Sequence, residues 1–521
     1  MAESEKLNGN AAAWFVDRHV DEGRGGRTAF VDPRRSLTYA QLRDATARFA
    51  AALPAAGVAR ERRIALLLLD SVEFPIAFWG ALRAGVVPVP INTLLPPEQV
   101  EYILNDSRVE LAVVSAGLLP ALGPVLARSP ALRRCVVVSD GDIADCTRNQ
   151  VSFEAFSRGS AMLDAPVAAS ADEVAFWLYS SGSTGAPKGV KHVHGSLRAT
   201  ADTYAAKVLR IAPDDIVHSV AKLFFAYGLG NAMTFPMSVG ACAILSPHRP
   251  TPDAVLELMR VHRPTVFCGV PSFYAALLSH PGLGRGAGSD RLSRCISAGE
   301  PLPEHVGRHW SRIVGVDILD GLGSTEMLHI FLSNRLGDVR YGTSGRAVPG
   351  YELKIVDADG AAVPDGEIGE LLVRGPSAAE GYWNQRAKSR GTFAGEWTFT
   401  GDKYLREPDG TYRYCGRADD MFKVSGNWVS PFEVEAALIG HAAIAEAAVV
   451  GHQDRDGLLK PRAFVVLKDG WTLTAELTEQ LQAHVKAQVG AWKYPREIVA
   501  VADLPKTATG KIQRFRLRER P

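Results

Sequence analysis

Short apolar runs alternate with stretches of helical periodicity along the first two-thirds of this chain. The strand-like runs include "RIALLLLD" (63–70), "LAVVSA" (111–116), "TVFCGV" (265–270) and "VDILDG" (316–321). Helical spacing is clearest in "LTYAQLRDATARFAAALPAAG" (37–57) and "FPIAFWGALRAG" (74–85). Such alternation favours an α/β fold with parallel sheets. Because ligands bind at the carboxyl ends of parallel strands, the glycine-rich turns after these runs are the places to look for a site.

The pattern changes near residue 351. Three alternating strands, "YELKIVD" (351–357), "IGELLVRG" (368–375) and "TYRYCGR" (411–417), predict a β-rich subdomain. A final α+β segment of helices and strands follows. We therefore predict an α/β protein: a large N-terminal domain of layered α/β subdomains plus the β-rich subdomain, and a small α+β C-terminal domain.

Composition excludes several function classes. The chain has 58 basic and 57 acidic residues, a formal net charge of +1, so neither nucleic acid nor a membrane surface is an expected partner. Its longest apolar run, "IALLLL" (64–69), is too short to span a bilayer. The six cysteines include no CxxC pair, which predicts buried thiols in a reducing, cytoplasmic compartment. The N-terminus does not read as a signal peptide.

The stretch "YSSGSTGAPKGV" (179–190) concentrates hydroxyl groups, glycines and one lysine after an apolar strand. Gly182, Gly185 and Gly189 would let the backbone approach a ligand and point N–H groups at it. With the hydroxyl side chains and Lys188, they suggest a polyphosphate cradle, although the spacing does not fit a Walker A loop. The alternative is an ordinary surface loop rich in serine and glycine.

Together with later motifs, this loop resembles the signature of the adenylate-forming superfamily of acyl-CoA synthetases, amino-acid adenylation domains and firefly luciferases. The further motifs, in the order of the family, are "DGLGSTE" (320–326), "TGDKY" (400–404), "GRADDMFKVSGNWVSPFEVE" (416–435) and "PKTATGKIQR" (505–514). The resemblance covers nearly the whole chain. It implies an enzyme, a ligase that activates a carboxylic acid with ATP and Mg²⁺, in which donors and cations offset the repulsion between two anions.

The resemblance also implies individual roles. Lys511, Thr325 and Glu326 would be catalytic, and Glu326 would hold Mg²⁺. "SAGEPLP" (297–303) would line the adenine, with Asp320 at its amino group. Asp402 and Arg417 would hold the ribose. The full set of nucleotide-binding residues is Ser180, Ser181, Gly182, Ser183, Thr184, Gly185, Lys188, Gly299, Glu300, Pro301, Asp320, Gly321, Leu322, Thr325, Asp402 and Arg417.

The family rotates its C-terminal domain between two half-reactions. The expected domains are 1–418 and 419–521, with the hinge at Asp419 and a mobile second domain. Lys511 would act in adenylation, whereas Ser425 and Gly426 would line the path of coenzyme A in thioester formation. The resemblance also raises acetylation of Lys511 by a lysine acetyltransferase, and a homodimer is a further expectation.

The acyl pocket is expected near "KLFFAYGLGN" (222–231) and "MLHIF" (327–331), where no acid is available to hold an amino-acid ammonium. These segments most resemble benzoate and hydroxybenzoate coenzyme A ligases, which implies a small aromatic acid as substrate. The pocket residues would be Ala226, Tyr227, Gly228, Gly323, His329 and Ile330. The alternatives are core packing for these side chains, and a ligase for another small acid: cyclohexanecarboxylate, 2-aminobenzoate or a short fatty acid.

Three other interpretations stay open at this point. "KHVH" (191–194) suggests either a metal-binding histidine pair or polar positioning. A luciferase-like oxygenase would form an adenylate without coenzyme A. A non-catalytic nucleotide-binding relative would be expected to lack Lys511. The end of the chain at residue 521 leaves no carrier domain in the sequence, which counts against a peptide-synthetase module.

Overall fold

The structure, a computed structural model, describes residues 9–139, 149–158, 161–182, 185–424, 427–454, 458–490, 492–506 and 512–519. The chain forms two compact units. The first comprises residues 1–352 and 373–398, and the second comprises residues 353–372 and 399–521. The domain boundary expected at residues 418–419 is a hinge about which the C-terminal segment would rotate. This hinge stays a prediction.

The larger sheet of the first unit has nine strands among the described residues. Across the sheet they are Arg346–Ala347, Ile330–Ser333, Ile318–Gly323, Arg294–Ser297, Val266–Gly269, Ile216–Ser219, Cys242–Ile244, Thr28–Val31 and Ser36–Thr38. The central pairs are parallel, whereas the pairs at both edges are antiparallel. The parallel core predicted from the apolar runs is therefore present.

A second sheet of the first unit is parallel throughout the part described. Its five strands, in spatial order, are Val87–Pro90, Arg63–Leu67, Leu111–Ser115, Arg134–Val138 and Gln150–Ser152. Residues 64–68 of the run that begins at Ile64 are fully buried, and the strand ends at Leu67. Strands covered by helices on both faces are apolar at every position, which explains this run.

Helices connect and cover these strands. The helix Tyr39–Ala55 begins with a capping box, in which Thr38 and Gln41 bond each other's backbone N–H groups. The other α-helices of this unit are Arg18–Asp21, Glu73–Arg83, Pro97–Ser107, Leu119–Arg128, Phe153–Arg158, His194–Thr200, Ala226–Leu229, Phe235–Val239, Pro252–His262, Pro271–Leu278, Glu304–Val314 and Arg386–Thr392. Turns of π-helix are Ala13–Asp17, Ala201–Leu209 and Gly230–Thr234; 3₁₀ turns are Ala116–Leu118 and Arg285–Gly288.

The glycine-rich stretch occupies the tip of an antiparallel hairpin. The strands Val174–Gly182 and Gly185–Val193 form this glycine hairpin, and the short strand Gly381–Tyr382 pairs with its second strand. The stretch therefore does not follow a parallel strand, unlike the turns after Gly269 and Ser297. Gly189 faces Tyr179 across the hairpin, and a Cβ there would lie 3.1 Å from the tyrosine ring, so glycine permits this close pairing.

The second unit contains the β-rich subdomain and the α+β segment. In the subdomain, Glu352–Val356, Gly369–Arg374 and Trp397–Arg406 are neighbours in that order, and Tyr412–Arg417 pairs with Trp397–Arg406. The short strand Phe393–Ala394 belongs to the first unit, where it pairs with Trp397 and Thr398. The strands of the α+β segment are Phe422–Val424, Asn427–Val429, Ile444–Gln453, Leu459–Leu467 and Glu497–Ala500; its helices are Pro431–Ile439, Ala475–Val489 and Arg514–Arg518. The α+β character predicted here is present, whereas its mobility stays a prediction.

Candidate active site

The glycine hairpin presents Ser180 and Lys188 directly opposite each other. The hydroxyl oxygen of Ser180 is buried and has no hydrogen-bond partner among the described residues. Ser181 and Gly182 end the first strand and Gly185 begins the second, while Ser183 and Thr184 lie outside the described residues. An unpaired buried hydroxyl is costly unless a ligand completes it, so this hairpin is suited to receive one.

Lys188 reaches the residue predicted to hold the metal. Its Nζ lies 3.9 Å from Oε1 of Glu326 and 3.4 Å from the hydroxyl of Tyr382. That hydroxyl donates a 2.8 Å hydrogen bond to the same Glu326 oxygen. The structure thus joins two residues that the sequence motifs indicated, and it adds Tyr382, which sequence reasoning missed. The available signal was a tyrosine directly after a glycine in "EGYWN" (380–384).

The turn that carries Thr325 and Glu326 is held by its backbone. Nε2 of His192 donates to the carbonyl oxygen of Thr325 at 2.8 Å. The amide of Ala379 donates to the carbonyl of Glu326 at 2.9 Å, and Oγ of Ser377 donates to that of Met327 at 2.7 Å. Hydrogen bonds therefore fix the directions of three consecutive backbone carbonyls. These backbone contacts position the side chains that the turn carries.

The histidine pair of "KHVH" has a positioning role. Burial lowers the pKa of His192 to about 4, so its neutral ring donates to Thr325 as described. Nδ1 of His194 accepts the amide hydrogen of Ala11 at 3.2 Å, and burial also lowers the pKa of His194 to about 4. No cluster of three or more metal-ligating side chains exists among the described residues. The polar-positioning interpretation is the one that these contacts support.

Asp320 and Ser297 face each other in register on adjacent parallel strands. Oδ1 of Asp320 and Oγ of Ser297 are both buried and lack a hydrogen bond of good geometry to any described residue. Burial raises the pKa of Asp320 to about 8. These two buried polar atoms form a polar edge that a heterocyclic base can complete.

The other predicted adenine residues lie on the turn after the Ser297 strand and at the end of the Asp320 strand. Gly299 is exposed with a φ of +93°, a left-handed conformation that glycine adopts without strain. Glu300 and Pro301 follow it and are half-buried, as is Leu322 on the neighbouring strand. Gly321, next to Asp320, is buried. The first unit thus brings these residues to the ends of two neighbouring strands.

The predicted acyl pocket is built around His329 and Tyr227, whose ring centroids are 5.7 Å apart. The Tyr227 hydroxyl lies 3.0 Å from the carbonyl oxygen of Gly269 and 3.1 Å from that of Ile296, and it donates its proton to this pair. His329 packs edge-on against Phe235 at 4.5 Å. Its Nδ1 is buried without a partner among the described residues, and burial lowers its pKa to about 3.

Small residues leave the backbone close to these rings. A Cβ on Gly228 would lie 2.1 Å from the carbonyl oxygen of Lys222, and one on Gly323 would lie 2.7 Å from that of His329. Ala226 begins the helix that carries Tyr227, and Ile330 begins the strand beside Gly321. All six predicted acyl-pocket residues therefore belong to two segments that meet at the His329 ring.

A tight turn sets the direction of His329. Leu328 has a φ of +64°, and the amide of His329 donates to the carbonyl of Met327 at 2.8 Å, two residues back. This three-residue turn costs of the order of 1–3 kcal/mol for a residue with a side chain, so the surrounding contacts must stabilise it. The side chains of Glu326 and His329 are therefore both carried by one short segment with a fixed backbone.

The second unit contains the predicted ribose pair. Arg417 lies across the strand pair from Asp402, and its Nη1 donates to Oδ1 of Asp402 and to the carbonyl of Thr400, both at 3.1 Å. Asp419 Oδ1 lies 3.6 Å from Nε of the same arginine. The predicted coenzyme A residues Ser425 and Gly426, and the predicted catalytic Lys511, lie outside the described residues.

The segments on either side of residues 507–511 are well anchored. Lys506 and Ile512 form an antiparallel bridge, and the amide of Gln513 donates to the carbonyl of Pro505 at 2.8 Å. Arg514 makes a bidentate ion pair with Glu435, at 3.0 and 2.7 Å. Sequence reasoning identified Arg514 and Glu435 only as members of motifs, not as partners.

Comparison with known proteins agrees with this arrangement. A family model described as AMP-binding enzyme matches residues 16–383, and one described as AMP-binding enzyme C-terminal domain matches residues 433–511. The chain is 53% identical to the 4-hydroxybenzoate–CoA/benzoate–CoA ligase of Rhodopseudomonas palustris over 511 residues, covering 98% of this chain and 94% of that protein. It is 52% identical to the benzoate–CoA ligase of Thauera aromatica, covering 98% and 95%.

A solved structure extends the likeness to the fold. The benzoate CoA ligase from Burkholderia xenovorans superimposes with a TM-score of 0.89 at 50% identity, covering 98% of this chain and all of that one. Within the described part of the chain, every helix is too short or too polar to cross a lipid bilayer. The predicted superfamily and fold class are confirmed, and the chain belongs to the AMP-binding enzymes, the adenylate-forming superfamily that its motifs resemble.

Proposed function

We propose that this protein is an ATP-dependent aromatic carboxylic acid–CoA ligase that forms benzoyl- or hydroxybenzoyl-CoA through an acyl adenylate. The observation that carries the proposal is the single turn that bears Glu326 on the phosphate side and His329 on the acyl side. An acid held against the His329 ring would have its carboxylate next to the Lys188–Glu326 pair, 3.9 Å apart at the glycine hairpin. The relatives above, named as benzoate and hydroxybenzoate ligases, support the same substrate class.

The reaction has two steps. In the first, a carboxylate oxygen attacks the α-phosphorus of ATP, forming the acyl phosphate anhydride and releasing pyrophosphate. In the second, the thiol sulfur of coenzyme A attacks the acyl carbon, AMP leaves, and the thiol proton is lost. Lys188 and the hydroxyls of the glycine hairpin would offset phosphate charge in the first step, in which two anions must meet.

A magnesium ion is part of this proposal. Glu326 supplies one half-buried carboxylate, which suits a hard cation that takes its remaining ligands from phosphate oxygens and water. When bound, such an ion neutralises phosphate charge, and the residues of this chain hold and orient it.

Five further properties expected from the sequence remain predictions. They are the rotation about Asp419, the approach of coenzyme A past Ser425 and Gly426, the homodimer, acetylation of Lys511 and a cytoplasmic location. The phosphate role of Lys188 and the ribose role of Asp402 are likewise proposals, supported by the positions described above.

Release of pyrophosphate and AMP tests the function directly. The assay uses ATP and Mg²⁺ with benzoate, 2-, 3- and 4-hydroxybenzoate, 2-aminobenzoate, cyclohexanecarboxylate or octanoate, each with and without coenzyme A. We expect CoA-dependent turnover on benzoate or a hydroxybenzoate. Turnover confined to the alicyclic or alkyl acids would contradict the aromatic pocket, and light emission with oxygen in place of CoA dependence would contradict the ligase.

A further inference from the structure

Tyr382 is fixed at the meeting point of the glycine hairpin and the Glu326 turn. Its strand pairs with the second hairpin strand at Val190, and its ring packs against Phe393 at 5.5 Å. Its amide donates to Oγ of Ser389 at 2.9 Å. Tyr382 is 5% exposed. Its backbone and ring are therefore held in place by contacts that do not involve the hydroxyl.

Polar groups of three described residues lie near the Tyr382 hydroxyl. It lies 2.8 Å from Oε1 of Glu326, 3.4 Å from Oγ1 of Thr392 and 3.4 Å from Nζ of Lys188. Its one proton goes to the carboxylate, which is the nearest and the only anionic acceptor of these. The ammonium of Lys188 can then donate to the hydroxyl oxygen, and it also lies 4.5 Å from the ring centroid. The order of donation is Lys188 to Tyr382 to Glu326.

This arrangement has a consequence for ATP binding. Lys188 now lies near Glu326, but phosphate groups at the glycine hairpin would compete for its charge. When Lys188 turns to the phosphates, the Tyr382 hydroxyl can still donate its hydrogen bond to Oε1 of Glu326. That bond would keep Oε1 occupied and would leave Oε2 of Glu326 as the oxygen available to a cation.

We propose that Tyr382 is a positioning residue for adenylation, whose hydroxyl orients the Glu326 carboxylate toward the cation that accompanies ATP. The inference rests on the proposed ATP-dependent function and deepens it. Residues that hydrogen-bond a metal ligand from behind commonly change metal affinity or activity about 10- to 100-fold when they are removed. Tyr382→Phe keeps the ring packing, the strand pairing and the Ser389 contact, so it removes the hydroxyl alone.

The test compares Tyr382→Phe with the unmodified protein in two measurements. The first is the Mg²⁺ dependence of the dissociation constant for α,β-methylene-ATP, measured by calorimetry without any acid substrate. The second is the pair of half-reactions: benzoate-dependent exchange of pyrophosphate into ATP, and thioester formation from supplied benzoyl-AMP. We expect the Mg²⁺ concentration at half-saturation to rise about tenfold or more, with thioester formation changed less than about twofold.

A matched control is Tyr341→Phe. Its hydroxyl also donates to a carboxylate, that of Asp317 at 3.0 Å, but at the other end of the strand that leads to the site. We expect this control to bind Mg²⁺ and nucleotide like the unmodified protein. The double variant Glu326→Ala/Tyr382→Phe should bind Mg²⁺ no more weakly than Glu326→Ala alone, because each change removes the same Tyr382–Glu326 contact.

Three results would overturn the inference. They are an unchanged Mg²⁺ dependence in Tyr382→Phe, equal loss of both half-reactions, and additive losses in the double variant. Failure of the proposed function looks different, because the unmodified protein would then turn over none of the acids. The calorimetric Mg²⁺ dependence would still report on Tyr382 in that case.

Discussion

The carboxylate of Asp402 lies 3.1 Å from Nη1 of Arg417, its direct partner across two antiparallel strands. Gly401 makes this approach tolerable, because a Cβ there would lie 2.8 Å from the guanidinium, and its φ of +70° favours glycine. Asp402 is 8% exposed. The arginine thus donates to one oxygen of a nearly buried carboxylate.

Asp402→Asn should weaken ATP binding specifically. An amide places a donor where two ribose hydroxyls need an acceptor, and hydrogen bonds to charged groups contribute about 1.5–3 kcal/mol. We expect the KM for ATP to rise about 10- to 100-fold in steady-state kinetics, with the KM for the acid unchanged. Asp365→Asn, at an exposed aspartate of the same unit, is the control. Equal rises in both KM values would contradict the ribose role.

Asp320 should make ATP affinity depend on pH. Its pKa is raised by burial to about 8, and an adenine amino group bonds best to the ionised carboxylate. The KM for ATP should therefore fall as pH rises through this value and should be flat in Asp320→Asn. Isothermal titration with ATP across this range gives the same information without turnover. A pH dependence that persists in Asp320→Asn would assign it to another group.

The raised pKa of Asp320 should also make the free energy of unfolding decrease as pH rises. Between the ordinary pKa of 3.8 and the folded value of about 8, the folded protein holds a proton that the unfolded chain has released. The free energy of unfolding therefore falls with rising pH in this window, by at most about 1.4 kcal/mol per pH unit. Asp320→Asn should gain stability relative to the unmodified protein at the upper end only, as urea unfolding at both ends would show.

His329→Leu should change the choice between substrates. The unpaired Nδ1 can bond a ring hydroxyl, whereas leucine cannot, and benzoate itself needs only the apolar contacts. We expect kcat/KM for one hydroxybenzoate, relative to benzoate, to fall about tenfold. Because the pKa of His329 is about 3, this ratio should not vary between roughly pH 6 and pH 9. An unchanged ratio for every hydroxybenzoate would show that Nδ1 does not meet the hydroxyl.

Lys511→Ala should separate the half-reactions. The motif resemblance assigns this lysine to adenylation only, with the C-terminal segment rotating before the thiol attacks. We expect pyrophosphate exchange to be lost and thioester formation from supplied benzoyl-AMP to be retained. Lys468→Ala, at an exposed lysine of the same unit, should leave both rates unchanged. Equal loss of both half-reactions in Lys511→Ala would refute the rotation.

Arg514→Met should destabilise the second unit. Glu435 is 5% exposed, and its Oε1 also accepts the amide hydrogen of Val449 at 2.7 Å. Removing the arginine leaves this carboxylate buried without its cation, which costs about 3–5 kcal/mol. Thermal unfolding should show the loss, and Glu435→Gln in the same chain should restore part of it. A double variant less stable than Arg514→Met alone would contradict the pairing.

Sequence reasoning found most of the fold and many of the site residues, for physical reasons. Buried parallel strands are apolar at every position, so the run "IALLLL" predicted a buried strand. The motif residues carry recognisable chemistry, so the sequence alone was enough to identify Asp320 and Glu326 as site residues. Tyr382 was not, because its role depends on a strand pairing between residues almost two hundred positions apart. The orphaned Nδ1 of His329 is likewise a product of packing, which no local pattern encodes.

Gly321 and Gly323 restrict how this enzyme can be redesigned. A Cβ at Gly321 would lie 2.8 Å from Ile330 Cγ2, and one at Gly323 would lie 2.8 Å from the carbonyl carbon of His329. Neither position can therefore be mutated to reshape the pocket, because any new side chain would push the neighbouring strand. Libraries for new substrates are better directed at His329, Tyr227 and Ala226, whose side chains can change while the backbone stays in place.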